Sequence, residues 1–257
     1  MNWQEIEGNW VLVPERPTAI IHFLGGFVVA AAPHLAYGWL LENLYRQGYV
    51  VMATPFVNVF DHEAIAHQVL DNFEHGLEYL RSHILRRRYL PIYGLGHSMG
   101  SKLHLLIGSL FPVERAGNIL MSFNNFSARR SIPLLEQFSA LTPALDVEFT
   151  PSPAETNRII EKQYRIQRNL MIKFKRDDID ETRAITELLR PRFPDMISVQ
   201  ILPGNHTTPM GQDISWQPGE SFSPADALGQ FVKQGVYRDL NQLKRAILLW
   251  LDPFSSV

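Results

Sequence analysis

Residues 90–100 read Leu-Pro-Ile-Tyr-Gly-Leu-Gly-His-Ser-Met-Gly, and no other stretch constrains the fold of this chain as much. An apolar, strand-like segment ends in Gly96-His97-Ser98-Met99-Gly100, and a helical pattern follows from Ser101 to Phe111. That is a G-x-S-x-G pattern in a strand–turn–helix setting. A serine on so sharp a turn takes strained backbone. Glycine two positions before and after it lets strand and helix approach without Cβ clashes. Ser98 is therefore expected above a strand end, at a helix N-terminus where free N–H groups favour developing negative charge.

The flanking chain alternates strand and helix. Strands are expected at Trp10–Val13, Thr18–Leu24, Tyr49–Ala53, Gly117–Phe123, Leu170–Phe174 and Ile197–Leu202. Helical spacing covers Pro33–Gln47, Asp61–Arg87 with Asp61 as N-cap, and Tyr237–Leu251. Arg86, Arg87 and Arg88 read as a solvated helix end. Such alternation predicts an α/β fold, a mostly parallel central sheet with helices on both faces. Two stretches interrupt it. One, about 124–167, carries Pro133, Pro143, Pro151 and Pro153 with helical patches near Pro133–Leu141 and Ala154–Arg168. It is expected to be a helical lid, with Phe126, Leu134, Leu135, Phe138 and Leu141 over an acyl or lipid-like group. The other, about 207–228, is rich in Pro and Gly. The expectation is one domain over residues 1–257.

Composition narrows the function classes. A net charge of -2 gives no electrostatic reason to expect nucleic acid or an anionic membrane surface as partner. With no cysteine there is no disulfide framework, thiolate metal site or cysteine nucleophile. Met1-Asn2-Trp3-Gln4-Glu5 has neither the basic nor the apolar region of a signal peptide, and no apolar run reaches the roughly 18 residues of a membrane span. A cytoplasmic location is the expectation. His62 and His67 miss the spacing of a zinc-binding helix and read as a polar helix start, and Gly94-x-Gly96 lacks the remaining glycine of a dinucleotide loop. Neither metal nor cofactor is expected. Trp216, Phe222 and Phe231 line a pocket or belong to the core.

The order of these features resembles the α/β-hydrolase superfamily across almost the whole chain, with Gly96–Gly100 as its nucleophile elbow. Within it, His22-Phe23-Leu24-Gly25-Gly26-Phe27, the elbow, Phe174–Thr182 and Leu202–Pro209 resemble a family of unknown function found in cyanobacteria and plant plastids. The resemblance implies a serine nucleophile followed along the chain by an acid and then a histidine. Only His104 and His206 follow Ser98. His104 belongs to the helix after the elbow and cannot fold back, so His206 is the expected base. The acid is expected in the loop after Phe174, where the superfamily spacing favours Asp177, with Asp178 as alternative. Asp180 reads as a cap for a helix near Thr182. The resemblance places the oxyanion hole at the N–H of Met99 and in the Gly25-Gly26-Phe27 loop, with Gly26 and Phe27 as donors. His97 reads as a filler of the elbow without a catalytic role. The implied chemistry is cleavage of a small-molecule ester, thioester or lipid-like substrate with an apolar acyl group through an acyl-enzyme. Acyl transfer remains open, as does a non-catalytic binding protein on the same fold.

Overall fold

Short apolar segments bounded by Gly, Pro and polar turns form the strands, and amphipathic stretches between them form helices. In a computed structural model, residues 2–86, 89–127, 148–211 and 224–253 are described. In chain order these are β1 (Gln4–Ile6), β2 (Asn9–Leu12), β3 (Ala19–Leu24), α1 (Pro33–Ala36), α2 (Gly38–Arg46), β4 (Tyr49–Ala53), α3 (His62–His83), β5 (Ile92–His97) and α4 (Met99–Leu110). They continue with β6 (Gly117–Met121), α5 (Pro153–Gln163), β7 (Asn169–Arg176), α6 (Thr182–Leu189), β8 (Ile197–Asn205) and α7 (Pro224–Leu251).

The strands form one 8-stranded sheet in the order β1-β2-β4-β3-β5-β6-β7-β8. Only β1 with β2 and β2 with β4 pair antiparallel; β3 to β8 are parallel. This is the α/β-hydrolase fold. Side chains alternate across it with the period of two that a pleated strand imposes. Ile21, Phe23, Val51, Leu95 and Ile119 pack against Leu40 and Leu44 of α2 and Ile247 of α7. Ile20, Val50 and Met52 face Phe73 and Leu77 of α3 on the other side. Leu120 and Met171 meet Ile160 of α5 and Ile185 of α6 on that side too.

Several elements differ from the sequence expectation. The helix expected over 33–47 is divided at Tyr37, whose side chain turns inward and is fully buried. The helix capped by Asp61, which accepts from the Ala64 N–H at 2.9 Å, ends at His83. Arg87 and Arg88 lie outside the described residues. So do Leu134, Leu135, Phe138, Leu141, Trp216 and Phe222, and the side chain of Phe231. Within the expected lid, α5 packs against α4 and α6 as part of the helical layer. β8 runs three residues further than expected, through Pro203; it is an edge strand, where the missing N–H leaves no broken ladder.

The turn from β5 to α4 holds Ser98 at φ 54, ψ -117, a conformation that costs a non-glycine residue on the order of 1–3 kcal/mol. Tertiary bonds hold it there. The Ser98 N–H donates to the Met121 carbonyl at 2.9 Å, and the Ser101 hydroxyl donates to the same oxygen at 3.0 Å. A Cβ on Gly96 would lie 2.6 Å from the backbone of Gly100, and one on Gly100 would strike the carbonyl of Leu24. Glycine at these two positions is what allows α4 to leave the sheet directly beside the end of β3. Gly100→Ala is expected to lower stability by about 1–3 kcal/mol or more in urea unfolding. Gly38→Ala, where a Cβ meets nothing within 4 Å, is expected to be neutral or to gain up to about 1 kcal/mol.

Candidate active site

Because the parallel strands run in one direction, the loops that follow them collect at one edge of the sheet, with β7 and β8 running about four residues past the end of β6. Leu24 pairs with Gly96, His97 with Met121, and Arg176 with Asn205. The residues after these positions are Gly25, Ser98, Ser122, Asp177 and His206. The last pairing follows a register shift between Phe174 and Arg176, where β8 holds one residue more than β7, and β7 ends two residues beyond its expected end. Asp177 and His206 therefore emerge side by side from neighbouring strands.

Hydrogen bonding follows from that placement. The His206 Nδ1–H donates to Asp177 Oδ2 at 3.0 Å, which leaves Nε2 free to accept from the Ser98 hydroxyl at 3.1 Å. Asp177 also accepts from the Ile179 N–H at 3.3 Å. Burial pushes its carboxyl up, but the hydrogen bond from His206 and the further bonds it accepts outweigh this and hold it below the usual carboxylate range. Asp178 is exposed. Asp180 lies one residue before the N-cap position, Glu181, where it accepts from the Thr182 N–H at 3.1 Å and pairs with Lys173 at 2.9 Å. His104 is buried in α4, edge-on to His22, away from the serine.

The sequence gives no signal for two further groups. Asn124, in the loop after β6, donates through Nδ2 to Ser98 Oγ at 3.1 Å. This fixes the oxygen while its proton points to His206. His97, read as a filler, is buried and bridges two loops. Its Nε2–H donates to the His206 carbonyl at 2.8 Å, so a neutral ring must accept at Nδ1 from the Tyr37 hydroxyl at 2.7 Å. The Tyr37 oxygen in turn accepts from the Gly26 N–H at 2.8 Å. Burial, and then the nearby His206, push His97 down to about 3, so it stays neutral over the ordinary pH range. The chain of bonds ties the Gly25–Phe27 loop to the His206 loop through the elbow itself.

The same chain changes the expected set of oxyanion donors. The Gly26 N–H is already used by Tyr37. Among the described residues, the N–H groups of Phe27 and Met99 donate to no other protein group.

Ser98 opens into a cavity of about 280 Å³ with apolar walls that include Phe27, Val29, Phe126, Phe149 and Ile179. His62 does not lie on a solvated helix start but lines this cavity, pushed down to about 3 by burial and by the charge of Lys102. Among the described residues no group of three or more His, Cys, Asp or Glu is placed to hold a metal ion, and no helix is long and apolar enough to cross a membrane.

A family described as "Protein of unknown function (DUF1350)" matches residues 2–253. No curated protein sequence matches the chain. Among solved structures it is similar to the S-formylglutathione hydrolase FrmB of Staphylococcus aureus, with 16% identity, a TM-score of 0.53, and 90% of this chain and 89% of that one covered. It is similar to FphF, a fluorophosphonate-binding serine hydrolase of the same organism, with 15% identity, a TM-score of 0.53, and 90% and 91% covered. An esterase domain of a Rhodothermus marinus protein gives 17% identity, a TM-score of 0.51, and 90% and 92% covered.

Tyr37→Phe removes one oxygen and leaves both the Gly26 N–H and His97 Nδ1 buried without a partner. Chemical unfolding is expected to show a loss of about 1–3 kcal/mol. A loss under about 0.5 kcal/mol would mean that the chain of bonds is not formed.

Proposed function

The chain belongs to the DUF1350 family, and we propose that this member is a serine hydrolase that cleaves an ester or thioester through an acyl-enzyme. The observation that carries this reading is the continuous hydrogen-bonded line from Ser98 Oγ through His206 to Asp177. The hydrolases and the esterase domain to which the chain is similar share its fold and are consistent with it.

Ser98 Oγ attacks the substrate carbonyl carbon while its proton passes to His206 Nε2. The carboxylate of Asp177 orients the ring and stabilises the imidazolium that forms. Negative charge on the former carbonyl oxygen is received by the N–H groups of Met99 and Phe27, each such donor being worth about 3–4 kcal/mol. The bond to the leaving oxygen or sulfur then breaks, and His206 gives that atom its proton. Water next attacks the acyl carbon and loses a proton to His206. The acid is released as Ser98 regains its hydrogen, so Ser98 and His206 end as they began.

A panel of 4-nitrophenyl esters tests the assignment residue by residue. Ser98→Ala and His206→Ala are each expected to lower kcat at least about 10³-fold, and Asp177→Asn about 10³- to 10⁴-fold. Asp178→Asn, at an exposed position, is expected to stay within about twofold of the parent. A larger loss for Asp178→Asn than for Asp177→Asn would reassign the acid, and full activity in Ser98→Ala would remove the nucleophile.

A further inference from the structure

Lys102 follows Ser98 by one turn of α4, and a lysine on a helix ordinarily keeps its ammonium in water. Here the residue is 2% exposed and lines the same cavity as Ser98. Long side chains on a helix lean toward its N-terminus, which for Lys102 is the direction of Ser98. Among the described residues its Nζ has no hydrogen-bond partner. The neighbouring carboxylates attract it without hydrogen-bonding to it: Glu148 accepts from the Phe149 N–H at 2.8 Å and Glu181 from the Asn125 N–H at 2.6 Å. Phe149 lies with its ring centre 5.6 Å from the ammonium, and its ring also packs 4.2 Å from that of His62. Both ring nitrogens of His62 lack a partner as well. Burial lowers Lys102 to about 8, against the attraction of Glu148 and Glu181, so it is charged at neutral pH.

An ammonium buried without a hydrogen bond is costly, and the cavity is the open direction from which an acceptor can arrive. The leaving group must depart beside His206, next to Thr207 and Met210, because His206 supplies its proton. Lys102, His62 and Phe149 come from α4, α3 and the segment paired to the start of α3, and remain for the acyl group.

We propose that the cavity takes an acyl group whose far end is a carboxylate, bound by the Lys102 ammonium with His62 as a second donor. The proposal rests on Ser98 being the acyl acceptor. Lys102 stands only one turn from Ser98 on the same helix, which suits short dicarboxylic acyl groups. Their methylenes would lie against Val29, Phe126 and Phe149, so the apolar walls and the single cation serve one ligand.

The test compares the 4-nitrophenyl ester of glutarate, with its free carboxylate, against the same ester capped as the methyl ester. At pH 7 the free acid is expected to be favoured about 10- to 100-fold in kcat/KM, mainly through KM. That preference should decline as pH rises through about 8, where Lys102 loses its proton. Lys102→Met should bring the ratio to about one, and Lys102→Arg should restore part of it. Equal turnover of the two esters by the parent, or a ratio unchanged in Lys102→Met, overturns the carboxylate site while leaving the serine reading intact. If neither ester turns over, the serine reading fails on its own. The site is then judged by calorimetry with the Ser98→Ala protein. Monomethyl glutarate binding more tightly than dimethyl glutarate supports an anion site, and equal binding overturns it.

Discussion

The site depends on six parallel strands whose ends all point to one edge of the sheet. Parallel pairing sets where each strand stops, and five of the six stops deliver one group each: the Gly25–Phe27 loop after β3, Ser98 after β5, Asn124 beyond β6, Asp177 after β7 and His206 after β8. The irregularity between Phe174 and Arg176 aligns Arg176 with Asn205, and thereby Asp177 with His206. One residue of slip would turn Asp177 away and present a neighbour, since successive side chains on a strand point to opposite faces.

Neutral groups then hold the charged ones in place. His97 donates at one nitrogen and accepts at the other, a state that only an uncharged ring can adopt, and its burial enforces that state. Tyr37 passes the connection on to Gly26. The backbone that carries the proposed oxyanion donor Phe27 and the backbone that carries His206 are thus braced against the same strained turn. Strain at Ser98 is sustained by its bonds to the end of β6, so the turn at Ser98, the His206 loop and the Gly25–Phe27 loop form one mechanical unit.

Much of this was legible in the chain itself. Gly96 and Gly100 announce a close crossing because a Cβ at either would strike backbone, and the short apolar runs Tyr49–Ala53 and Gly117–Phe123, bounded by Gly and Pro or polar residues, read as buried strands. The choice between Asp177 and Asp178 was less accessible, because it depends on a pairing irregularity that Pro203 and Gly204 mark on the neighbouring strand, not on β7 itself. His97 and Tyr37 are 60 residues apart in sequence, and nothing in either neighbourhood predicts that they touch. Lys102 and His62 were hidden for a related reason. Polar residues on helices are ordinarily solvated, and only the approach of Phe149 from a distant segment encloses them.

The central claim is that Ser98 is a nucleophile activated by His206. Its most direct test is the mass of the intact protein after exposure to a fluorophosphonate, followed by peptide mapping. The account predicts one equivalent of adduct, on Ser98, and its loss in His206→Ala. No adduct at any pH, or an adduct on a different residue, would contradict it.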